Sequence, residues 1–197
     1  MLNSKNILIL APHTDDAELG AGGLISRLAR AGAYITEIVF TGAGDRKMEA
    51  VFAAEVMGIN NIKFWDMPIR RLGEHRQDIL DGLIELRGQP DLVIMPSLRD
   101  THQDHQTVAQ EGWRAFKNTN LLGYEEPWND MHYDAQLFVK VSEMDIANKI
   151  KAVQCYKSQA GKAYCDLEYI ISLARVRGVQ AGVEYAESFN IMRQIIR

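Results

Sequence analysis

The stretch ILILAPHTDDAELGAGGLISRLARAGAYITEIVFT, residues 7–41, decides how the fold is read. It opens on Ile7–Ala11, an uncharged apolar run of strand length. Tyr34–Thr41 is a second such run, rich in Ile and Val. Between them lies PHTDD (12–16), then Glu18–Arg30, which reads as a helix with Leu19, Leu24 and Leu28 among its apolar residues. Strand, helix, strand over this length is a βαβ unit, whose two strands run parallel.

Working outward, the same alternation continues. Ile62–Trp65 and Asp91–Pro96 read as strands, Lys47–Met57 and Glu74–Arg87 as helices, the latter with Ile79, Leu80, Leu83 and Ile84 at helical spacing. Gly32, Gly58 and Gly88 each follow a helical stretch, where a left-handed cap favours glycine. The pattern predicts an α/β fold of one domain over residues 1–197, its mostly parallel sheet covered by helices on both faces.

Beyond Pro96 the pattern changes. A polar loop over Ser97–Gln106 should lead into a helix through Lys117, followed by a second loop, Asn118–Asp134. Ala135–Val141 alternates like an edge strand. Ser142 and Asp145 mark a helix start related to a capping box, with that helix running to about Ser158. Asp166–Arg177 is read as a final helix, followed by a tail.

Bulk properties exclude several classes. With 47% hydrophobic and 24% charged residues, the chain can bury a sizeable core as a globular protein. A formal charge of −4 argues against a nucleic-acid surface. No window approaches the ~18–20 apolar residues of a membrane span. The first residues, with Lys5 as their one base, lack the pattern of a secretory signal. Cys155 and Cys165 have neither metal-ligand nor disulfide-framework spacing, so a reducing cytoplasm is the expected setting.

In open parallel sheets, ligands bind beyond the carboxyl ends of the strands. Two polar clusters fall there: PHTDD after Ile7–Ala11, and RDTHQDH (99–105) after the strand ending near Pro96. If those strands are neighbours, His13, Asp15, Asp16, His102, Asp104 and His105 converge. An Asp-Asp pair before a helix also serves as a cap and first-turn charge, but capping does not call for His13. Catalytic zinc takes His and Asp/Glu ligands and leaves a position for water, whose pKa it lowers. A carboxylate beside the metal can take the water's proton, and a histidine opposite can protonate the leaving group. His75 and His132 read as surface or structural residues.

These motifs resemble those of the LmbE/PIG-L N-acetylglucosaminyl deacetylases. The family's His-Pro-Asp-Asp element, followed by an acid and glycines, corresponds to HTDDAELGAGG (13–23), and its His-x-Asp-His to HQDH (102–105). Arg46-x-x-Glu49 before Met57-Gly58, KAVQCYKSQ (151–159) and RGVQAGVEYAESF (177–189) extend the resemblance over nearly the whole chain. It implies a Rossmann-like fold and zinc-dependent removal of acetyl from an N-acetylated amino sugar conjugate. By motif position, His13, Asp16 and His105 would bind Zn²⁺, and Asp15 would be the general base. His102 would act as acid or oxyanion stabiliser, oriented by Asp104. Arg46, Tyr185 and Glu187 would lie at the substrate. Relatives commonly form trimers or hexamers, which the resemblance carries over as an expected homo-oligomer.

Two positions depart from the common form. Thr14 stands where proline usually fixes the turn. Glu18 comes one place late, as in the subgroup containing bacillithiol-pathway deacetylases, and reads equally as a first-turn helix charge. The alternatives to a sugar deacetylase are a zinc amidohydrolase on another acetylated amine or peptide, and a non-catalytic sugar- or metal-binding relative. Against the last, each expected catalytic position is chemically competent. The acceptor side of the pocket would come from loops such as Gly42–Met48 and Asn118–Asp134.

Overall fold

The βαβ unit is realised in the computed structural model, which describes residues 4–196. β1 (Asn6–Ala11) leads through α1 (Asp16–Arg30) to β2 (Tyr34–Val39), and α2 (Asp45–Met57) leads on to β3 (Asn61–Phe64). α3 (Arg76–Ile84), β4 (Leu92–Pro96), α4 (Gln103–Ala115) and β5 (Asn120–Tyr124) follow. β6 (Leu137–Val141), α5 (Glu143–Val153), α6 (Leu167–Ala181) and β7 (Tyr185–Arg193) complete the order.

The seven strands form one sheet in the order β3-β2-β1-β4-β5-β7-β6. β1 to β5 pair in parallel. β7 is antiparallel to both β5 and β6, so it alone runs against the rest. Alternate strand residues feed opposite faces. Ile7, Ile9, Ile35, Val39 and Ile94 pack with Leu24, Ile25 and Leu28 of α1 and Ala50 and Ala53 of α2. Leu8, Leu10, Ile38, Val93 and Met95 pack with Ile79 and Leu83 of α3 and Val108 of α4. The sheet is therefore covered on both faces, as expected. Among the described residues, no helix is long and apolar enough to cross a membrane.

The glycines after PHTDD allow α1 to lie close to the sheet. A Cβ on Gly20 would collide with the Tyr124 ring, and one on Gly23 would stand 2.9 Å from the Glu187 carboxyl carbon. The capping box before α5 is complete: Asp145 N–H donates to Ser142 Oγ at 3.3 Å, and Ser142 N–H donates to Asp145 Oδ2 at 2.8 Å.

Several boundaries differ from the sequence reading. Asn118–Asp134 is not all loop, because it contains β5, a five-residue run interrupted by Gly123. The C-terminal tail is instead β7, whose Glu187 and Ser188 are buried with internal partners rather than solvated. The stretch Glu74–Arg87 divides into a 3-10 turn over Leu72–His75 and the shorter α3. α5 stops at Val153, ahead of the buried Tyr156, and a separate 3-10 turn spans Lys157–Gln159. α6 runs past Arg177 to Ala181, where Gly182 takes the left-handed conformation.

Candidate metal centre

β1 and β4 are neighbours, with Ile7 opposite Leu92. The strand order reverses between them, which makes their carboxyl ends a topological switch point. PHTDD and RDTHQDH meet there. The second motif is loop as expected through His102, but Gln103–His105 are already helix. His102 is the N-cap of α4, its Nδ1 accepting from the Asp104 N–H at 3.2 Å, and Asp104 and His105 lie in the first turn. Helix geometry thus fixes where those side chains point.

Three donor atoms converge. His13 Nδ1 and His105 Nε2 each lie 3.2 Å from Asp16 Oδ2, and 3.2 Å from one another. Ligands held at about 2.0–2.1 Å by a tetrahedral ion stand about 3.3–3.4 Å apart. The triad therefore fits a small divalent cation in both spacing and chemistry. His102 and Glu126 flank it: donor atoms of His13, His102 and His105, and of Asp16, His105 and Glu126, fall within 4.8 Å of one another. The 3.2 Å spacings single out His13, Asp16 and His105 as the tightest set.

The outer nitrogens of both imidazoles are also engaged. Asp104 Oδ2 lies 3.1 Å from His13 Nε2 and accepts the Arg70 N–H at 2.6 Å. Asp100 Oδ2 lies 2.8 Å from His105 Nδ1. Carboxylates in these positions fix the tautomer and strengthen the facing nitrogen as a ligand. Asp104 was expected to orient His102. Its carboxylate instead turns toward His13, and only its backbone N–H serves His102.

Electrostatics agree with a cation here. Burial lowers the pKa of His13, but the charge of Asp16 and the hydrogen bond with Asp104 outweigh it, and the pKa stands at about 9. Burial opposes charge on His105 too, yet Asp16 and Glu126 hold its pKa well up. Asp16 stays well below the usual carboxylate range because His105 and His13 overcome its burial. So much buried carboxylate calls for positive charge, which protons on the imidazoles or a metal ion can supply. Asp15 is raised by burial and by Asp16, with Arg46 opposing. His102 is lowered by burial and then by the neighbouring His105 and His13, which makes it the neutral imidazole of the group.

A sequence profile of the family described as PIG-L: GlcNAc-PI de-N-acetylase matches residues 8–116, more than half of the chain. The chain belongs to the PIG-L family. It is 31% identical over 169 residues to a protein named uncharacterized deacetylase YaiS of Escherichia coli, covering 78% of this chain and 91% of that one. It is 25% identical over 225 residues to diacetylchitobiose deacetylase of Thermococcus kodakarensis, covering 95% and 83%. Among solved structures, conserved protein TT1542 of Thermus thermophilus superposes with a TM-score of 0.81 at 26% identity, covering 97% of this chain and 96% of that one.

The other motif residues of this PIG-L chain divide into two groups. Arg46 reaches the site, its Nη2 lying 2.5 Å from Asp15 Oδ1. Both line a cavity of about 330 Å³ together with His13, Asp16, His102 and His105. Glu49 acts at a distance: its carboxylate accepts from Ser158 N–H at 2.9 Å and Ser158 Oγ at 2.5 Å, tying α2 to the turn after α5. Where proline is usual, the Thr14 carbonyl accepts from the Tyr156 hydroxyl, which holds the turn from outside. Glu18 is no solvated helix charge. It is fully buried, 3.0 Å from Tyr156 Oη, and burial with the nearby Glu37 pushes its carboxyl well up.

Glu187 and Tyr185 are not among the residues lining that cavity. The Glu187 carboxylate accepts from Gly23 N–H at 2.8 Å and Leu24 N–H at 2.7 Å, and pairs with Lys149 Nζ at 2.7 Å. β7 places it against the middle of α1, beyond the turn that carries His13 and Asp16. Tyr185 packs under the Arg175 guanidinium, 4.9 Å from the ring centre. Two residues of the cluster escaped sequence reasoning. Asp100 had a signal, an acid within the same RDTHQDH cluster. Glu126 had none, because it follows a strand that the sequence reading left as loop.

Proposed function

We propose that this PIG-L chain is a zinc-dependent N-deacetylase acting on an N-acetylated amino sugar conjugate. The observation that carries the reading is a donor triad at 3.2 Å spacing with a second aspartate, Asp15, beside it and outside the triad. Two imidazoles and one carboxylate suit Zn²⁺. Bound there, the ion would supply Lewis acidity, polarising an amide carbonyl and acidifying water.

The chain's own groups divide the remaining work. Asp15 takes the proton of the attacking water, and Arg46 fixes the direction of its carboxylate. Because His102 Nδ1 accepts from Asp104 N–H, its proton sits on Nε2. A neutral imidazole with that tautomer donates a hydrogen bond to the oxygen on which charge develops. Asp15, once protonated, can return its proton to the departing amine. Asp104 and Asp100 hold the two ligand imidazoles in place.

The sugar class is supported by the family description and by the relative named for diacetylchitobiose. The test is acetate release from a panel of N-acetylated sugars, glycosides and sugar nucleotides, alongside acetylated amines and peptides, with zinc content measured on the same samples. About one equivalent of zinc and acetate from the sugars is the expected result. Acetate from amines or peptides alone would move the substrate class, and metal retained in a His13→Ala/His105→Ala variant would remove the proposed centre.

A further inference from the structure

One wall of the cavity is aromatic. Trp128 and Tyr164 both line it, with ring centres 4.5 Å apart and planes inclined by 20°. Tyr164 is backed by the cluster of Leu19, Val153 and Ile170. Tyr169 meets the indole edge-on at 6.0 Å. Trp128 is therefore held from behind and from the side, yet remains 36% exposed, whereas Asp16 and His105 at the floor are 5% and 1% exposed. An indole packed for support and left open on the cavity side is preorganised for a flat ligand face.

We propose that Trp128 is a specificity-determining residue: the platform on which the sugar ring adjoining the acetylated one stacks. The inference rests on the sugar-deacetylase reading above and adds a second subsite to it. The chemistry of the wall selects the ligand. A pyranose has a face of C–H groups and a rim of hydroxyls. The indole offers a flat apolar surface for the first, and Arg70, Asn129, Gln159 and Lys162 on the same cavity offer polar groups for the second. Depth assigns the ring. Asp16 and His105 are 5% and 1% exposed against 36% for Trp128, so an acetamido group that reaches the triad sits deeper than the indole. What lies against Trp128 at the mouth is the next ring of the conjugate.

The test compares N-acetylglucosamine with N,N′-diacetylchitobiose on the zinc-loaded full chain. Trp128→Ala should lower the disaccharide-over-monosaccharide ratio of kcat/KM by about tenfold, acting through KM of the disaccharide. Trp128→Phe, which keeps a flat ring, should recover most of that ratio. Trp128→Leu, which keeps bulk without a ring, should not, and it serves if the alanine variant fails to fold. Binding of the disaccharide should also change the indole emission of the wild type, a change missing from Trp128→Phe. An unchanged ratio in both Ala and Leu variants, with sugar deacetylation intact, overturns the platform alone. Equal losses on both sugars would place the acetylated ring itself on Trp128 and also overturn it. A wild type that neither binds nor deacetylates either sugar overturns platform and sugar reading together.

Discussion

Asp104 approaches His13 from the side of the ring opposite the converging donors, with its Oδ2 3.1 Å from Nε2. Its other partners are backbone: the N–H groups of Arg70 at 2.6 Å and Leu72 at 3.2 Å. The hydrogen bond with His13, and then these N–H groups, hold the carboxylate below its usual pKa range despite its burial, so it is an anion set behind the His13 imidazole. Asp104→Asn keeps the backbone N–H that donates to His102 Nδ1 but loses the charge behind His13. Zinc affinity should fall by about 10–100-fold. Competition against a chelator of known affinity measures it, and an unchanged affinity would show that Asp104 acts elsewhere.

Asp15→Asn should retain zinc while kcat falls by ~10²–10⁴, since the amide cannot take a proton. Arg46 supplies a second handle. Burial and Asp16 raise the Asp15 pKa, and the Arg46 cation opposes them. Replacing Arg46 with Met removes the opposing charge, so the proton is held to higher pH. The acid limb of the kcat/KM profile should move toward alkaline pH in Arg46→Met. A shift toward acid pH, or none, would exclude Asp15 as the group responsible for that limb.

Metal and protons compete for His13. In metal-free protein its pKa stands at about 9 against 6.5 for the ordinary side chain. A raised folded-state pKa stabilises below the unfolded value, and that contribution is lost as pH climbs from 6.5 toward about 9. Zinc needs the deprotonated ring, so its affinity should rise over the same interval. The gap in Tm between zinc-loaded and metal-free protein should therefore widen from pH 6.5 to 9. Thermal unfolding with and without zinc across that range checks it, and a constant gap would detach His13 from the ion.

Glu187→Gln tests packing rather than chemistry. The carboxylate pairs with Lys149, and both side chains are only 7% exposed. Removing one charge leaves the other buried without its partner, a loss of about 3 kcal/mol. Denaturant unfolding should show that loss, with the midpoint lowered. Native stability together with a changed KM would instead return Glu187 to the substrate side.

The parallel half of the fold was legible because its strands are short uncharged runs separated by helical patterns, and burial on both faces requires that composition. The candidate metal centre was legible for a related reason. Its six residues, His13, Asp15, Asp16, His102, Asp104 and His105, come from two short motifs at neighbouring strand ends. What escaped notice was the part of the sheet that hides polar side chains. In β7, the segment read as a tail, Glu187 was placed at the substrate, whereas Lys149 meets it and Glu125 meets Ser188 inside the fold. Helix phase was lost as well: treating HQDH as loop concealed that the Asp104 carboxylate turns away from His102.

The position of β7 has a consequence for how the chain assembles as it leaves the ribosome. β6 precedes β7 in the chain by more than forty residues, yet its partner in the sheet is β7, which lies between it and β5. Until Tyr185–Arg193 have emerged, β5 keeps an open edge, β6 has no ladder to join, and the Lys149 ammonium of α5 waits without its counter-ion. Synthesis can complete the βαβ half early and in order. β7 then enters between β5 and β6, joining β6 to the rest in one late step that depends on Tyr185–Arg193 being available.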